Sequence, residues 1–176
     1  MASITLYELS QYNNGILRPF TIDLDPLSSR DEYMEAIADD LNDMMDTDED
    51  SDGNRPLYEE WIVADYDDIP NGYVGEYDLK DDYWELKEAM DANPHIPEAV
   101  FFAGVACDIP PASIPEAYQG YFDCDEDFAA DLAESCGYLD DMPENLRYYF
   151  DYVKFARDLM IDSFMEDSGH YFSRNC

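Results

Sequence analysis

The sequence predicts an α+β fold built from small mixed units. Three observations lead there. The first third alternates apolar and polar residues at strand period and then shifts to helical spacing. Pro and Gly clusters punctuate the chain near residues 70–75 and 110–115. The last third carries apolar residues mostly three and four apart, the spacing of amphipathic helices. The expected units are an N-terminal α+β domain over 1–75, with an antiparallel sheet and a helix, and a small helical middle domain over 76–113. A mostly helical domain with a short strand component follows over 114–176.

The β-prone run Ile4-Thr5-Leu6-Tyr7-Glu8-Leu9 is expected to form one arm of a hairpin. Asn14-Gly15 supplies residues that tolerate positive φ in its turn. Phe20, Ile22 and Leu24 alternate with Thr21 and Asp23 as the second arm. Ser28 or Ser29 can cap a helix whose apolar positions are Met34, Ile37, Ala38, Leu41, Met44 and Met45. Trp61-Ile62-Val63-Ala64 reads as a buried strand, and Asp65 to Tyr77, with Pro70, Gly72 and Gly75, as a linker. Residues 79–92 form an amphipathic helix through Leu79, Tyr83, Leu86 and Met90, and Pro97 opens another over Val100, Phe101 and Phe102. Further on, Phe128, Ala129, Leu132, Ala133 and Cys136 share a helical face that Gly137 ends. Pro143 starts a short helix, and Tyr152 to Ile161 forms the last, with Phe155, Ala156, Leu159 and Met160 inward. His170-Tyr171-Phe172 is expected as an edge strand.

On this scaffold sits an extreme charge. Forty-three Asp and Glu face nine Lys and Arg, a net charge of -34 on 176 residues. With 46% hydrophobic and 15% aromatic residues, the chain does not have the composition of a disordered acidic tail. The excess is also even: 13 negative over residues 1–60, 10 over 61–115 and 11 over 116–176. Such charge opposes compaction through self-repulsion, so its use is to be read by something basic. Proteins built to hold nucleic acid suit it. At one charge per ~1.7 Å of duplex axis, the chain carries the charge of roughly 58 Å of DNA, and a homodimer that of roughly 115 Å.

The outer face of the first long helix holds Glu32, Glu35, Asp39, Asp43 and Asp46, with no Lys between Asp31 and Asp52. A merely solvated helix face usually interleaves Lys four residues along for mutual support. These five acids span about 21 Å at ~1.5 Å rise per residue, a spacing comparable to the ~3.4 Å between phosphates along one strand. The candidate stripe continues through Asp81, Asp82, Glu85 and Glu88, with Lys87 partly offsetting the last two. It ends at Asp127, Asp131, Glu134, Asp140 and Asp141.

Other chemistry finds less support. Asp48-Glu49-Asp50-Ser51-Asp52-Gly53, followed by Glu59, matches a calcium loop, with Asp48, Asp50, Asp52 and Glu59 as ligands and Gly53 at the bend. Against it stand Arg55 and Pro56 inside the loop and a β-prone exit segment. Cys107, Cys124, Cys136 and Cys176 form no CxxC pair, and His95 and His170 are isolated, which argues against zinc, a disulfide framework and general-base catalysis. No Gly-rich phosphate loop, HExxH or GxSxG is present. The chain reads as no enzyme, without cofactor, soluble and cytoplasmic. Fifteen tyrosines, many beside acids, read first as core residues whose hydroxyls meet carboxylates.

Several segments resemble the ArdA antirestriction proteins of mobile genetic elements and phages. They are Glu116-Ala-Tyr-Gln-Gly120, Asp125-Glu-Asp-Phe-Ala129, Pro143-Glu-Asn-Leu-Arg-Tyr-Tyr149, Asp151-Tyr152 and Phe155-Ala-Arg-Asp-Leu159, with Gln11-Tyr-Asn-Asn-Gly-Ile-Leu17 and Glu60-Trp-Ile-Val-Ala-Asp-Tyr66 upstream. Arg18-Pro19-Phe20 departs from the family's Gly-x-Trp, the loop Asp46–Arg55 looks inserted, and residues 97–114 align poorly. The resemblance implies an elongated chain of three small mixed α/β domains, paired as a curved homodimer joined through the C-terminal domains. It also implies mimicry of bent DNA in the groove of type I restriction-modification enzymes, against their specificity and methyltransferase subunits, in the bacterial host cytoplasm. No nucleic acid and no membrane are expected as partners. Two alternatives stay open: a calcium-responsive acidic protein using the 48–59 loop, and a DNA mimic aimed at another DNA-binding protein, such as a nucleoid protein or a defence nuclease.

Overall fold

A computed structural model describes residues 1–49 and 52–175. It is α+β, with two small antiparallel sheets among helices, as the sequence predicts. The chain divides into two compact units, residues 1–88 and 89–176.

In the first unit, strands β1 (Ser3–Glu8), β2 (Pro19–Asp23) and β3 (Trp61–Asp67) form a sheet in the order β2-β1-β3. β1 is central, and its alternate residues Ile4, Leu6 and Glu8 are buried. The two expected arms do pair, from Ser3 opposite Asp23 to Tyr7 opposite Pro19. Their connection is not a tight hairpin turn. Glu8 turns its carboxylate back to accept from the Ser10 and Gln11 amides, which starts a short helix α1 (Leu9–Asn13). Leu9 therefore leaves the strand, and Asn14-Gly15 closes the helix, with Gly15 at φ 79°.

Helix α2 (Arg30–Thr47) begins at Ser29, whose hydroxyl accepts from the Glu32 amide, while the Glu32 carboxylate accepts from the Ser28 amide at 2.6 Å. Its buried face is Tyr33, Ile37, Leu41 and Met44. Tyr33 is thus a core residue, and Ala38, expected inside, is exposed. β3 continues to Asp67, three residues into the expected linker. It is an edge strand with a half-buried first part and an exposed second, not the buried strand expected. Asp65 and Asp67 are solvated there without penalty. Helix α3 (Asp82–Ala92) starts later than expected because Leu79, fully inside, bridges back to Val74. The Arg30 guanidinium fixes this segment through Asp78 at 2.7 Å and Asp81 at 2.6 Å.

In the second unit, α4 (Glu98–Ala106) buries Val100, Phe101, Ala103 and Gly104. Gly104 is required by contact: a Cβ there would lie 2.7 Å from Ile114. Ile114 begins the one-turn helix α5 (Ile114–Ala117), which leads into β4 (Tyr118–Tyr121). Helices α6 (Asp125–Ser135), α7 (Glu144–Arg147) and α8 (Tyr152–Asp162) follow, then strands β5 (Phe164–Asp167) and β6 (His170–Ser173). The sheet order is β4-β6-β5, so the 170–172 segment is central and not an edge. Two short strands flank it. One of them is joined by a two-residue turn, Ser168-Gly169, with both φ positive at 53° and 83°. Phe128 of α6 stacks on Tyr171 with ring centroids 4.5 Å apart and meets Phe164 edge-on at 4.9 Å. Cys136 caps α6 and is exposed, and Gly137, at φ 67°, ends the turn as expected.

Phe128 is 2% exposed, whereas Leu132 on the same helix is only half-buried. Phe128→Ala is expected to cost about 3–5 kcal/mol in urea unfolding, and Leu132→Ala less than half as much. Equal losses would mean that the stack on Tyr171 is not the centre of this core.

Candidate functional site

Fourteen carboxylates were singled out from the sequence, and all fourteen are exposed. In the first unit, α2 carries Glu32, Glu35, Asp39, Asp43 and Asp46 on the side away from Tyr33, Ile37 and Leu41. Asp81 precedes α3, and Asp82, Glu85 and Glu88 lie along it at successive turns. In the second unit, Asp127, Asp131 and Glu134 ride α6, and Asp140 and Asp141 follow in the turn beyond.

They are not equally free. Glu32 is engaged in the cap of α2, and the two hydrogen bonds from Ser28 hold its carboxyl below the ordinary range. Asp46 pairs with Arg55 at 2.8 Å, and Asp81 with Arg30 at 2.6 Å. Glu35, Asp39 and Asp43 have no cationic partner among the described residues. Lys87, expected to offset Glu85 and Glu88 in part, also has a role inside its unit. It is buried, with its Nζ donating to the Asp25 carbonyl at 3.2 Å.

The basic residues explain why the field is uncompensated. Arg18 serves Asp48, Arg157 serves Asp158, and Lys154 caps α8 through Asp151. Arg147 and Arg174 donate to backbone carbonyls. These cations serve partners inside their own unit. No basic residue stands in the last turn of α2, α3, α6 or α8, where it would complement the carbonyl end of the helix.

One acid that the sequence pattern did not flag feels both burial and its acidic neighbours. Asp40 is half-buried, and its pKa is raised by burial first, then by the charges of Asp43 and Asp39. The Asp39-Asp40 doublet was its only signal.

The calcium pattern resolves differently along its length. The Asp48 carboxylate turns inward, accepting from Gln11 Nε2 at 2.9 Å, Tyr58 Oη at 3.1 Å and Arg18 Nη1 at 3.1 Å. Asp50 lies outside the described residues. Asp52 and Glu59 are exposed, Gly53 has φ 80°, and the exit enters β3. Among the described residues no group of three or more His, Cys, Asp or Glu is placed to hold a metal ion. None of their helices is long and apolar enough to cross a membrane.

A family model described as antirestriction protein (ArdA) matches residues 6–172. The chain belongs to the ArdA antirestriction family. No curated protein matches it. The match spans nearly the whole chain. It assigns an antirestriction function, and with it an interaction with restriction-modification enzymes.

Because ionised Asp40 is held at a cost, its raised pKa contributes stability only below the pH where the unfolded carboxyl ionises. That contribution is lost as pH rises through the folded value. Asp40→Asn in this ArdA protein is therefore expected to raise Tm by about 1–3 °C at pH 7. The gain should vanish below the ordinary carboxylate range. A Tm unchanged at pH 7 would mean that the α2 acids are effectively screened from one another.

Proposed function

We propose that this ArdA protein blocks restriction by standing in for DNA. Its carboxylates take the place of phosphates and occupy the DNA-binding groove of type I restriction-modification enzymes, across their specificity and methyltransferase subunits. The reading rests on one observation above others: Glu35, Asp39 and Asp43 project from one helix, exposed and without cationic partners among the described residues. A helix built only for solubility would place Lys among them. A helix built to meet Lys and Arg of a DNA channel keeps them unpaired until the partner supplies the cations.

The mechanism is competitive occupation with no bond made or broken. Each exposed carboxylate meeting a partner cation contributes little alone, on the order of 0.2–1 kcal/mol. Affinity comes from the number of such meetings, and a homodimer doubles that number. The N-terminal and C-terminal units both contribute exposed acids.

Two dependences follow. Inhibition of a type I enzyme's DNA binding should be overcome by added DNA, and it should weaken at least tenfold as ionic strength rises and the screening length falls toward ~8 Å. A DNA-displacement assay run at several DNA and salt concentrations measures both. Inhibition indifferent to both would place the contact on an allosteric or apolar surface instead. Displacement of DNA from other DNA-binding proteins but not from type I enzymes would reassign the target.

A further inference from the structure

A cleft in the first unit has a chemistry that the distributed acids do not. Trp61 opens β3 opposite Glu8 of β1, and the Leu9 amide donates to the Glu60 carbonyl at 2.9 Å just before it. Two residues on, the Val63 amide donates to the Glu76 carbonyl at 2.9 Å, which draws residues 76–78 alongside the start of the strand. Between these segments lies an open cleft of about 490 Å³ lined by Leu9, Glu59, Glu60, Trp61, Tyr77 and Asp78. That volume falls in the range of small-molecule sites, ~300–1,000 Å³.

Its lining selects the occupant. The Trp61 indole N–H is shut off from solvent and has no acceptor among the described residues, so the ring offers the cleft carbon and π surface and no donor. Tyr77 is half exposed and supplies a second ring. Its hydroxyl is turned to Glu76 and lies in the field of Glu60, and both raise its pKa. Asp78 is already paired with Arg30 at 2.7 Å. Glu59 and Glu60 are exposed and have no cationic partner among the described residues. Two uncompensated carboxylates therefore border two aromatic rings and a leucine. A ligand that satisfies all of these is cationic, flat and weakly hydrated. Guanidinium meets that description, because it stacks on rings and bonds carboxylates through a fork of donors, while an ammonium keeps its water.

We propose that this cleft is a receptor for a single arginine side chain presented by the protein that ArdA inhibits. That the arginine belongs to a DNA-binding groove rests on the function proposed above. The preference of the cleft for guanidinium does not. The cleft gives the inhibitor a contact that phosphates cannot offer DNA, since a duplex backbone carries no aromatic face. Binding through the rings is less sensitive to screening than binding through carboxylates alone, so it sustains part of the affinity at high salt.

The probe is N-acetyl-arginine amide, titrated into the full-length protein while the two indole N–H resonances, Trp61 and Trp84, are followed by NMR. The Trp61 signal should move saturably with a Kd on the order of millimolar, and the Trp84 signal should stay still. The neutral isostere, N-acetyl-citrulline amide, should leave both unmoved. Glu60→Gln and Tyr77→Ala should each weaken binding about tenfold, and Tyr77→Phe, which keeps the ring, should bind nearly as wild type. Both positions are exposed, and an unchanged amide spectrum elsewhere verifies the fold. A silent Trp61, an equal response to the citrulline analogue, or unaltered binding by Tyr77→Ala would overturn the receptor. DNA displacement from a type I enzyme separates the two ideas. If the probe binds but wild-type protein displaces no DNA, the cleft stands and the DNA-mimic reading falls. If wild type and Tyr77→Ala displace DNA equally at every salt concentration, the partner's arginine is not the occupant.

Discussion

Everything in this molecule is arranged around self-repulsion. A net charge of -34 on 176 residues opposes every compact arrangement of the chain. The fold answers by keeping charge and core apart. Among the described residues, charged side chains are nearly absent from the interior, and the two that are buried have partners: Glu8 caps α1 with its carboxylate, and Lys87 reaches the Asp25 carbonyl. Aromatic packing then carries an unusual share of cohesion. Tyr33 leans on Trp84 in the first unit, and Phe128 stacks on Tyr171 in the second. Large rings bury much apolar area per residue, which small units need.

The same constraint explains where the few cations sit. Arg30 clamps the segment before α3, Arg18 meets Asp48, and Arg147 closes the turn after α6. Used this way they hold loops in place and leave the outer face of α2 without a base between Asp31 and Thr47. α2 runs through Asp43 and Asp46 toward a C-terminal end that disfavours negative charge, with no base in its last turn. A protein selected for stability alone would not be built so. The cost is intelligible if binding a cationic groove returns it.

Much of the fold was legible because periodicity and punctuation agreed. Ile4 and Leu6 against Ile22 and Phe20, Ser29 before α2, Pro97 before α4 and Gly137 after α6 all stand where pattern and capping chemistry place them. What the sequence hid has physical causes. Glu8 starts a helix inside an apparent hairpin because a side chain, not a propensity, supplies the first acceptor. The strands β4 and β5 are four residues each, too short to show a period, and only their pairing makes β6 central. Exposure of the candidate acids was readable from spacing. Their unequal engagement was not, because the partners of Asp46 and Asp81 lie elsewhere in the chain. The rings and acids beside Trp61 were likewise unreadable, since the backbone bond from Val63 to Glu76 is what assembles them.

The central claim is that inhibition resides in an array of carboxylates. It is tested most directly by measuring affinity for a type I enzyme against the number of acids neutralised, taken in turn from α2, α3 and α6 with Trp61, Tyr77 and Glu60 left intact. The account predicts a gradual decline, with each Asp→Asn or Glu→Gln contributing a few tenths to about 1 kcal/mol and no single position dominating. An abrupt loss on removing one or two of these carboxylates, with the rest dispensable, would contradict it.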